Sequence, residues 1–467
     1  MTEFDLIVLG AGPAGMAAAR TGADGGAKVL LIDEQTSPGG QIYRSVLEAP
    51  EGRRHQLGAD YADGRALVRA LEHENISVEF SATVWRVDDD ATVTYSIGGG
   101  GGGVARQARG QHLIVTTGAL ERPLPVPGWT LPGVMTVGAA QILLKASGVA
   151  PERAVLAGSG PLLYLLASQL IAAGVPPAAL IETQTWRNYF SALKFSPGAI
   201  RGWRHLMKGR NMLRQIRAAG VPRYRGAKDI SISGDGSVSA ITFAAAGRCY
   251  ELTCDTVLLH GGVIPNIQIT RSLRLDHHWD DRQLCFRPRT DVWGLTSNPL
   301  IRVAGDGAGI GGAEAARLNG HLTAFGALER LGRLTVTARD AKAAPLRAAL
   351  ARETAIRPFL DALYRPPKEL RQPADDVVIC RCEEVTAGDI RRYAKLGCTG
   401  PNQAKAFGRS GMGPCQGRYC GLTVTELLAE ANGLPPDDVG YYHIRSPLKP
   451  ISLGELASLA DDNPQKD

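Results

Sequence analysis

Phe4-Asp5-Leu6-Ile7-Val8-Leu9-Gly10-Ala11-Gly12-Pro13-Ala14-Gly15 opens the chain and decides its fold class. An apolar run of strand length meets G-x-G-x-x-G, an Ala-rich helical segment follows, and a second apolar run, Lys28-Val29-Leu30-Leu31-Ile32-Asp33-Glu34, ends in acid eighteen positions after Gly15. That is a complete βαβ dinucleotide unit. Gly10 permits the tight turn, Gly12 lets the backbone approach a pyrophosphate, and Gly15 lets helix and strand pack closely. The helix opening at Pro13 and Ala14 then faces the phosphates with free N–H groups and a partial positive charge. Asp33, with Glu34 behind it, is placed to accept from the hydroxyls of an adenosine ribose. The pattern predicts an ADP-containing cofactor.

A length of 467 residues exceeds what one hydrophobic core usually serves and predicts two or three domains. The chain is 44% hydrophobic and 21% charged, ordinary for a globular protein. No nucleic-acid partner is expected. The first strand starts by Phe4 with no basic n-region or cleavable apolar stretch, which predicts a cytoplasmic protein. Pro161 to Leu180 is the most apolar long segment, and Gln169, Gly174 and Pro176-Pro177 make it a buried helix rather than a membrane span. Eight cysteines, five of them from Cys380 to Cys420, point to a metal or redox centre rather than a disulfide framework.

After Asp33 comes Ser37-Pro38-Gly39-Gly40-Gln41-Ile42-Tyr43-Arg44, a glycine-rich turn where a flavin ring would lie in two-dinucleotide flavoproteins, with Gly40 and Gln41 against it. No cysteine precedes Cys249, so the C-x4-C of disulfide reductases is absent and dithiol chemistry at this flavin is not expected. Ser77 to Thr117 reads as short strands interrupted by Gly98 to Gly103, a hairpin loop. Leu113 to Thr116 is a buried strand that ends in the turn at Thr117 and Gly118. A proline-rich stretch, Glu121 to Pro132, then leaves the first domain.

A second motif, Gly158-Ser159-Gly160-Pro161-Leu162-Leu163, follows another strand, and a further strand ends in Glu182. Gly158, Gly160 and Glu182 would hold a second adenine nucleotide, either ATP or NAD(P)H. Leu163 stands in the third glycine position and should push the helix away, which leaves an empty structural fold as the alternative. Between Arg187 and Lys228 the chain carries eleven Lys or Arg and no acid. Ile200, Trp203, Leu206, Met207, Leu213 and Ile216 are expected on one helical face, with a basic face opposite. Such a helix could dock a partner subunit, an anionic membrane surface or nothing.

The first domain resumes near Thr256 to Gly262. It closes on the strand ending Gly305-Asp306, which opens the glycine-rich helix start Gly307 to Gly312. This resembles the second FAD motif of glutathione-reductase-like flavoproteins, where the matching aspartate binds the ribityl chain; Asp306 takes that role by resemblance. A domain split around an inserted second fold predicts FAD rather than NAD in the first site. His260, His277 and His278 are assigned no chemistry. Beyond a charged helical stretch, Cys380-Arg381-Cys382 precedes Cys415-Gln416-Gly417-Arg418-Tyr419-Cys420. Four thiolates in two close pairs can complete the sites of two irons, with structural zinc as the competitor, although zinc pairs more usually read C-x2-C. Cys249, Cys254, Cys285 and Cys398 read as small buried hydrophobes.

The unit around Cys380, Cys382, Cys415 and Cys420 resembles the 2Fe-2S module of bacterioferritin-associated ferredoxin. The whole chain, including Pro38 to Arg44, Glu121-Arg122-Pro123-Leu124-Pro125 and the tail Pro447 to Ile451, resembles alpha subunits of bacterial amine-dehydrogenase complexes: opine oxidases, hydroxyproline and proline dehydrogenases, and hydrogen cyanide synthase. The expected fold is α/β, with two Rossmann-type domains, one inserted in the other, and a small helical iron–sulfur domain. Its limits are 1–145 with 256–345 for FAD, 150–255 with the basic insertion 187–228 for the second nucleotide, 375–432 for the cluster, and 433–467 for an arm packed on the FAD domain or a partner. The resemblance implies a beta subunit of glycine-oxidase or D-amino-acid-dehydrogenase type that oxidises the C–N bond, a small ferredoxin-like gamma subunit, and FMN at a subunit interface. It also implies electron delivery to a respiratory acceptor, by peripheral contact with the inner membrane or its quinones. A self-sufficient NAD(P)H:acceptor oxidoreductase and a non-enzymatic redox sensor stay open as alternatives.

Overall fold

A computed structural model of the chain describes residues 1–98 and 103–461, so the centre of the expected glycine loop and the last residues of the arm lie outside the described residues. Strand β1 (Thr2–Leu9), helix α1 (Pro13–Asp24) and strand β2 (Val29–Ile32) form the opening βαβ unit. The two strands are parallel, with Leu6 opposite Val29, and Leu6 to Leu9 and Val29 to Ile32 are buried. Strands covered on both faces read as unbroken apolar runs rather than as alternation. β3 (Ile76–Glu79) extends the parallel sheet beside β2. β4 (Ala82–Val87), β5 (Thr92–Ile97) and β6 (Val104–Val115) form an antiparallel meander, and the far end of β6 turns parallel to β1.

The chain then builds a second sheet. β7 (Val134–Thr136), α2 (Val137–Ser147), β8 (Val155–Gly158), α3 (Pro161–Ala172) and β9 (Ala179–Glu182) come first. The apolar segment expected as one helix is therefore divided: α3 stops at Ala172, and the end of the segment is β9, because the Gly174 and Pro176-Pro177 turn cannot continue a helix. The basic insertion holds α4 (Trp186–Leu193), α5 (Ser196–Arg201) and α6 (Trp203–Ala218). Its expected single apolar face does not exist. The segment breaks at Gly202, which lies between α5 and α6 where a Cβ would come 2.7 Å from Ile356, and Ile200 falls on a separate helix. On α6 the inward residues are Met212, Leu213 and Ile216, while Trp203, Leu206 and Met207 are exposed.

β10 (Arg223–Arg225) forms the edge, β11 (Lys228–Ser233), β12 (Ala240–Ala245) and β13 (Arg248–Thr253) make an antiparallel layer, and β14 (Val257–His260) inserts centrally. The second sheet is parallel throughout, in the order β10-β9-β8-β14-β7. β15 (Ile301–Val303) returns to the first sheet against β6 and leads into α7 (Ala313–Arg330), which lies along α1. Gly320 allows that approach, for a Cβ there would lie 2.1 Å from the Ala14 carbonyl oxygen.

α8 (Val336–Thr354) and α9 (Arg357–Leu363) precede a compact unit of β16 (Val378–Cys380), α10 (Ala387–Lys395), α11 (Pro401–Gly408) and α12 (Gly421–Asn432). This unit shares an apolar cluster with β1, β5 and β6, through Ile390, Val424, Leu427 and Tyr442. The tail closes on the first sheet. The Leu448 N–H donates to the Trp85 carbonyl at 2.7 Å, and α13 (Leu453–Asp461) lies along β6. Among the described residues, no helix is long and apolar enough to cross a membrane.

Candidate functional site

The first glycine turn folds as its pattern requires. Gly10 has φ 103°, and a Cβ on Gly15 would lie 1.8 Å from the Gly10 carbonyl oxygen. Gly12 differs from both: the space its Cβ would take is open, the nearest atom being Gly40 Cα at 3.9 Å. This void at the start of α1, beside Pro13 and Ala14, is the kind of cradle that a pyrophosphate needs. Gly40, with φ 59°, closes the far side. Gly305 packs on Ala14 and so brings Asp306 to the same place; its Cβ would come within 2.8 Å of the Ala14 methyl.

Asp33 is half-buried and accepts from the Ala11 N–H at 2.5 Å and the Gln35 N–H at 2.8 Å. Burial pushes its carboxyl up, and those two N–H groups oppose the push. Glu34 pairs with Lys449 of the tail. Asp306 Oδ1 accepts from the Gly311 and Gly312 N–H groups at 2.8 and 3.0 Å, capping the loop before α7. Thr117 Oγ1 donates to the Asn266 carbonyl at 3.4 Å, and the Gly118 carbonyl accepts from the Asn266 N–H at 2.9 Å. Two further contributors are not among the expected site residues. Thr116 Oγ1 pins the turn by donating to the Leu9 and Gly10 carbonyls at 2.8 Å. Arg44 bonds the Gln35 side chain, reaches Gln41 Oε1 at 3.3 Å and keeps a buried Nε with no partner. A buried guanidinium N–H without an acceptor suits an anionic ligand.

Lys145 of α2 is 3% exposed and donates to the Gln41 carbonyl and to Gln141 Oε1, both at 2.9 Å. It ties the second fold to the glycine-rich loop of the first. No local pattern marks it, because the contact spans 104 residues. Burial lowers its pKa from 10.5 to about 7, with Arg44 adding to the effect. Since the unfolded chain holds more protons between those values, stability should rise with pH there by about 1.4 kcal/mol per unit from this group. Lys145→Met should remove that slope. The check is the stability difference between wild type and variant from about pH 7.5 to about pH 9.5, within that window; a difference that does not change with pH counts against it.

The second glycine turn is built differently. Gly158 and Gly160 have φ 131° and 137°, and a Cβ on Gly160 would meet His260 Nε2 at 2.6 Å. The imidazole, 2% exposed, thus fills the space beside the turn. Its Nδ1 is bonded to Glu121 Oε1 at 2.5 Å, and Glu121 Oε2 accepts from the Gly138 N–H of α2 at 2.7 Å. His260, given no role from the sequence, therefore belongs to this site together with Glu121. Glu182 is buried and its carboxylate is held by Arg223 at 2.6 Å from Nη2 and 2.8 Å from Nε. Leu163 is accommodated, fully buried in the core. Thr183 Oγ1 and Gln184 Oε1 are buried without partners just beyond β9.

Cys380 ends β16 and Cys420 precedes α12, each 1% exposed, while Cys382 is exposed and Cys415 half-buried. The four thiols act on one another across the two segments, Cys420 most strongly on Cys380 and Cys415 on Cys382, with Cys415 also acting on Cys420 and Cys380 on Cys382. The Cys420 thiol donates to Cys380 and, with the N–H groups of Gly411, Glu383 and Cys382, brings it down to about 6. Cys420, holding the shared proton and fully buried, is pushed well up. Burial raises Cys382, and the Cys415 N–H opposes it. Gly413 must be glycine, as its Cβ would lie 2.2 Å from Cys382 Cβ. Among the described residues, no three or more His, Cys, Asp or Glu gather around a single ion position. Cys254, Cys285 and Cys398 are buried as expected; Cys249 is instead exposed, on an outward position of β13.

Residues 4–325 match the family described as pyridine nucleotide-disulphide oxidoreductase, and residues 377–460 match the sarcosine oxidase A3 domain. An opine oxidase subunit of Rhizobium meliloti (strain 1021) is 44% identical over 470 residues, covering 99% of this chain and 100% of that one. The chain belongs to this family of opine oxidase subunits. Hydrogen cyanide synthase subunit HcnB of Pseudomonas aeruginosa is 34% identical over 478 residues, covering 98% of this chain and 99% of the relative. The crystal structure of L-proline dehydrogenase from P. horikoshii superposes with a TM-score of 0.71 at 19% identity, over 97% of this chain and 79% of that one, which is a likeness of fold. A member of the opine oxidase family on this fold is a flavin oxidoreductase that binds FAD.

Proposed function

We propose that this chain is the electron-transferring alpha subunit of a heteromeric amino- or imino-acid dehydrogenase. One observation carries the reading. The described residues are taken up by an FAD fold, a second nucleotide fold and a unit of paired cysteines, and no further large domain among them could hold an amino-acid substrate. A partner of glycine-oxidase or D-amino-acid-dehydrogenase type would dehydrogenate the C–N bond of proline, hydroxyproline, glycine or an opine, and the imine would hydrolyse. No catalytic residue is assigned in this chain.

When bound, FAD would exchange electrons in pairs or singly and a 2Fe-2S cluster one at a time, which converts hydride chemistry into single-electron transfer. The protein supplies position and charge. The cradle at Gly12 and the N-termini of α1 and α7 would receive the phosphates, Asp33 and Asp306 would offer carboxylate oxygens, and Lys145 holds the Gln41 carbonyl in the loop that would face the flavin. Two thiol pairs support a two-iron centre, because each iron of a 2Fe-2S rhomb takes two protein thiolates. A single zinc would ask all four to meet at one point. In this reading, residues 1–145 with 256–345 form the FAD domain, 150–255 the second fold, 375–432 the cluster domain and 433–467 the arm. A ferredoxin-like gamma subunit, with FMN at a subunit contact, would complete the relay to a respiratory acceptor at the cytoplasmic face of the inner membrane.

An adenine nucleotide at the second fold, ATP or NAD(P)H, has the βαβ pattern and the unpartnered Thr183 and Gln184 oxygens in its favour. Against it stand His260 beside the turn and Arg223 on Glu182. Purified alone, the chain should contain FAD and iron yet reduce no dye with proline, hydroxyproline, glycine or opines, and activity should appear on adding the partner. Substrate-dependent bleaching of the lone chain's flavin would sink this reading. Bleaching by NADH would favour a self-sufficient reductase instead.

A further inference from the structure

Helix α4 turns its apolar face outward. Trp186, Tyr189, Phe190 and Leu193 recur at i, i+3, i+4 and i+7, the spacing of one helical face. Yet Trp186 is 79% exposed, Phe190 70% and Leu193 58%. The opposite side of α4 is held down by buried Ala192 and by its packing on α9, and the Thr185–Asn188 capping box fixes its start. Further along the same insertion, Ile200 of α5 and Trp203 of α6 are likewise open, 70% and 59% exposed. Among the described residues Trp186 and Trp203 are the only two tryptophans left open to solvent. An exposed apolar helix face of this kind marks an interaction site.

The charge of the insertion that carries this face is of one sign. From Thr183 to Lys228 there is no acid, while eleven Lys or Arg lie between Arg187 and Lys228. Lys208 pairs with Asp60 and His205 with Glu353, both acids from outside the insertion. Arg187, Arg201, Arg204, Arg210 and Arg214 are exposed and form no ion pair among the described residues. We propose that this face docks on an anionic lipid bilayer, its aromatic side chains entering the boundary between headgroups and acyl chains and its arginines pairing with lipid phosphates. Charge complementarity selects that occupant. A protein surface able to cover these rings would be apolar and poor in charge at its centre, leaving the arginines without counter-ions. An anionic bilayer offers an apolar layer and a sheet of phosphates side by side.

This gives the peripheral-membrane part of the proposed function a surface and a lipid class, and rests on that reading only for why the chain would be at the membrane. Vesicle binding tests the surface whether or not any amine is oxidised. The full-length, FAD-loaded chain is sedimented with vesicles of phosphatidylcholine alone and with vesicles about one third phosphatidylglycerol. It should bind the second kind, release in about 0.5 M salt, and ignore the first. Trp186→Ser combined with Phe190→Ser should weaken that binding about tenfold or more. FAD content and melting temperature should stay as in wild type, since both residues lie on an exposed face. Failure of wild type to sediment with anionic vesicles would overturn the proposal, as would a variant that sediments equally well. So would loss of vesicle binding once the partner subunit is bound, which would give this face to a protein.

Discussion

Gly12→Val should yield a chain that folds but holds no FAD. The Cβ direction at Gly12 meets nothing closer than Gly40 Cα at 3.9 Å, so the chain itself does not oppose a Cβ there. The room it takes is the cradle at the start of α1. A pyrophosphate shut out of it would lose several charge-assisted hydrogen bonds to backbone N–H groups, about 4 kcal/mol or a thousandfold in Kd. Gly15 provides the contrast. Its Cβ would lie 1.8 Å from the Gly10 carbonyl oxygen, so Gly15→Val should unfold the βαβ unit itself. The measurement is flavin absorbance per chain beside the melting temperature of flavin-stripped protein. Gly12→Val should lose the first and keep the second, and a normal flavin spectrum in that variant would show that the cofactor approaches elsewhere.

What could be read from the sequence was local. The βαβ unit from Phe4 to Glu34 declares itself because its strand, turn, helix and acid lie within one short window, and each glycine has a separate steric duty. The second motif looks the same over the same span, yet its site is altered by residues that no window contains. Glu121 reaches His260 across 139 positions, and Arg223 reaches Glu182 across 41. A lone histidine at the end of an apolar strand reads as core until its partner is known. Lys145 is hidden for the same reason. The basic insertion misleads differently: when apolar residues occur on both sides of a helix, spacing alone cannot say which side packs, and the close approach of Ile356 to Gly202 comes from a distant segment.

The tail's role was also out of reach of composition. Tyr441 and Tyr442 run beneath the cysteine loop, where a Cβ on Gly411 or Gly417 would come within 2.6 or 2.4 Å of the Tyr442 ring, and one on Gly421 within 2.3 Å of the Tyr441 hydroxyl. Tyr442 Oη lies 3.9 Å from Cys420 Sγ and donates to Ser410 Oγ at 3.1 Å. Tyr441 packs edge-on against Phe286, and Phe286 against Trp279, at centroid distances of 5.8 and 5.3 Å. The glycines between Gly411 and Gly421 therefore answer to the tail as much as to the thiols. The tail, expected as an arm packed on the FAD domain or a partner, closes on the first sheet through Leu448 and α13, and its aromatic pair also enters the core of the cysteine unit.

Cys380→Ser and Cys415→Ser should each abolish iron binding while sparing FAD. The two changes strike different pairs, Cys380 with Cys420 and Cys382 with Cys415. If each pair serves one iron, neither half can hold a cluster alone, and both variants should fall together from about two irons and two sulfides per chain to almost none. Visible absorption beyond that of the flavin should vanish with them. Cys249→Ser, on the exposed side of β13, is the control and should keep iron, sulfide and spectrum. At Cys380, three backbone N–H groups and the Cys420 thiol already favour the thiolate, the form that binds metal. Serine there offers an alkoxide-poor oxygen in a cradle shaped for sulfur. The measurement calls for anaerobically purified protein, with iron, zinc and acid-labile sulfide determined on the same sample. About one zinc per chain with no iron and no sulfide would mean that the four thiols close on a single tetrahedral ion after all.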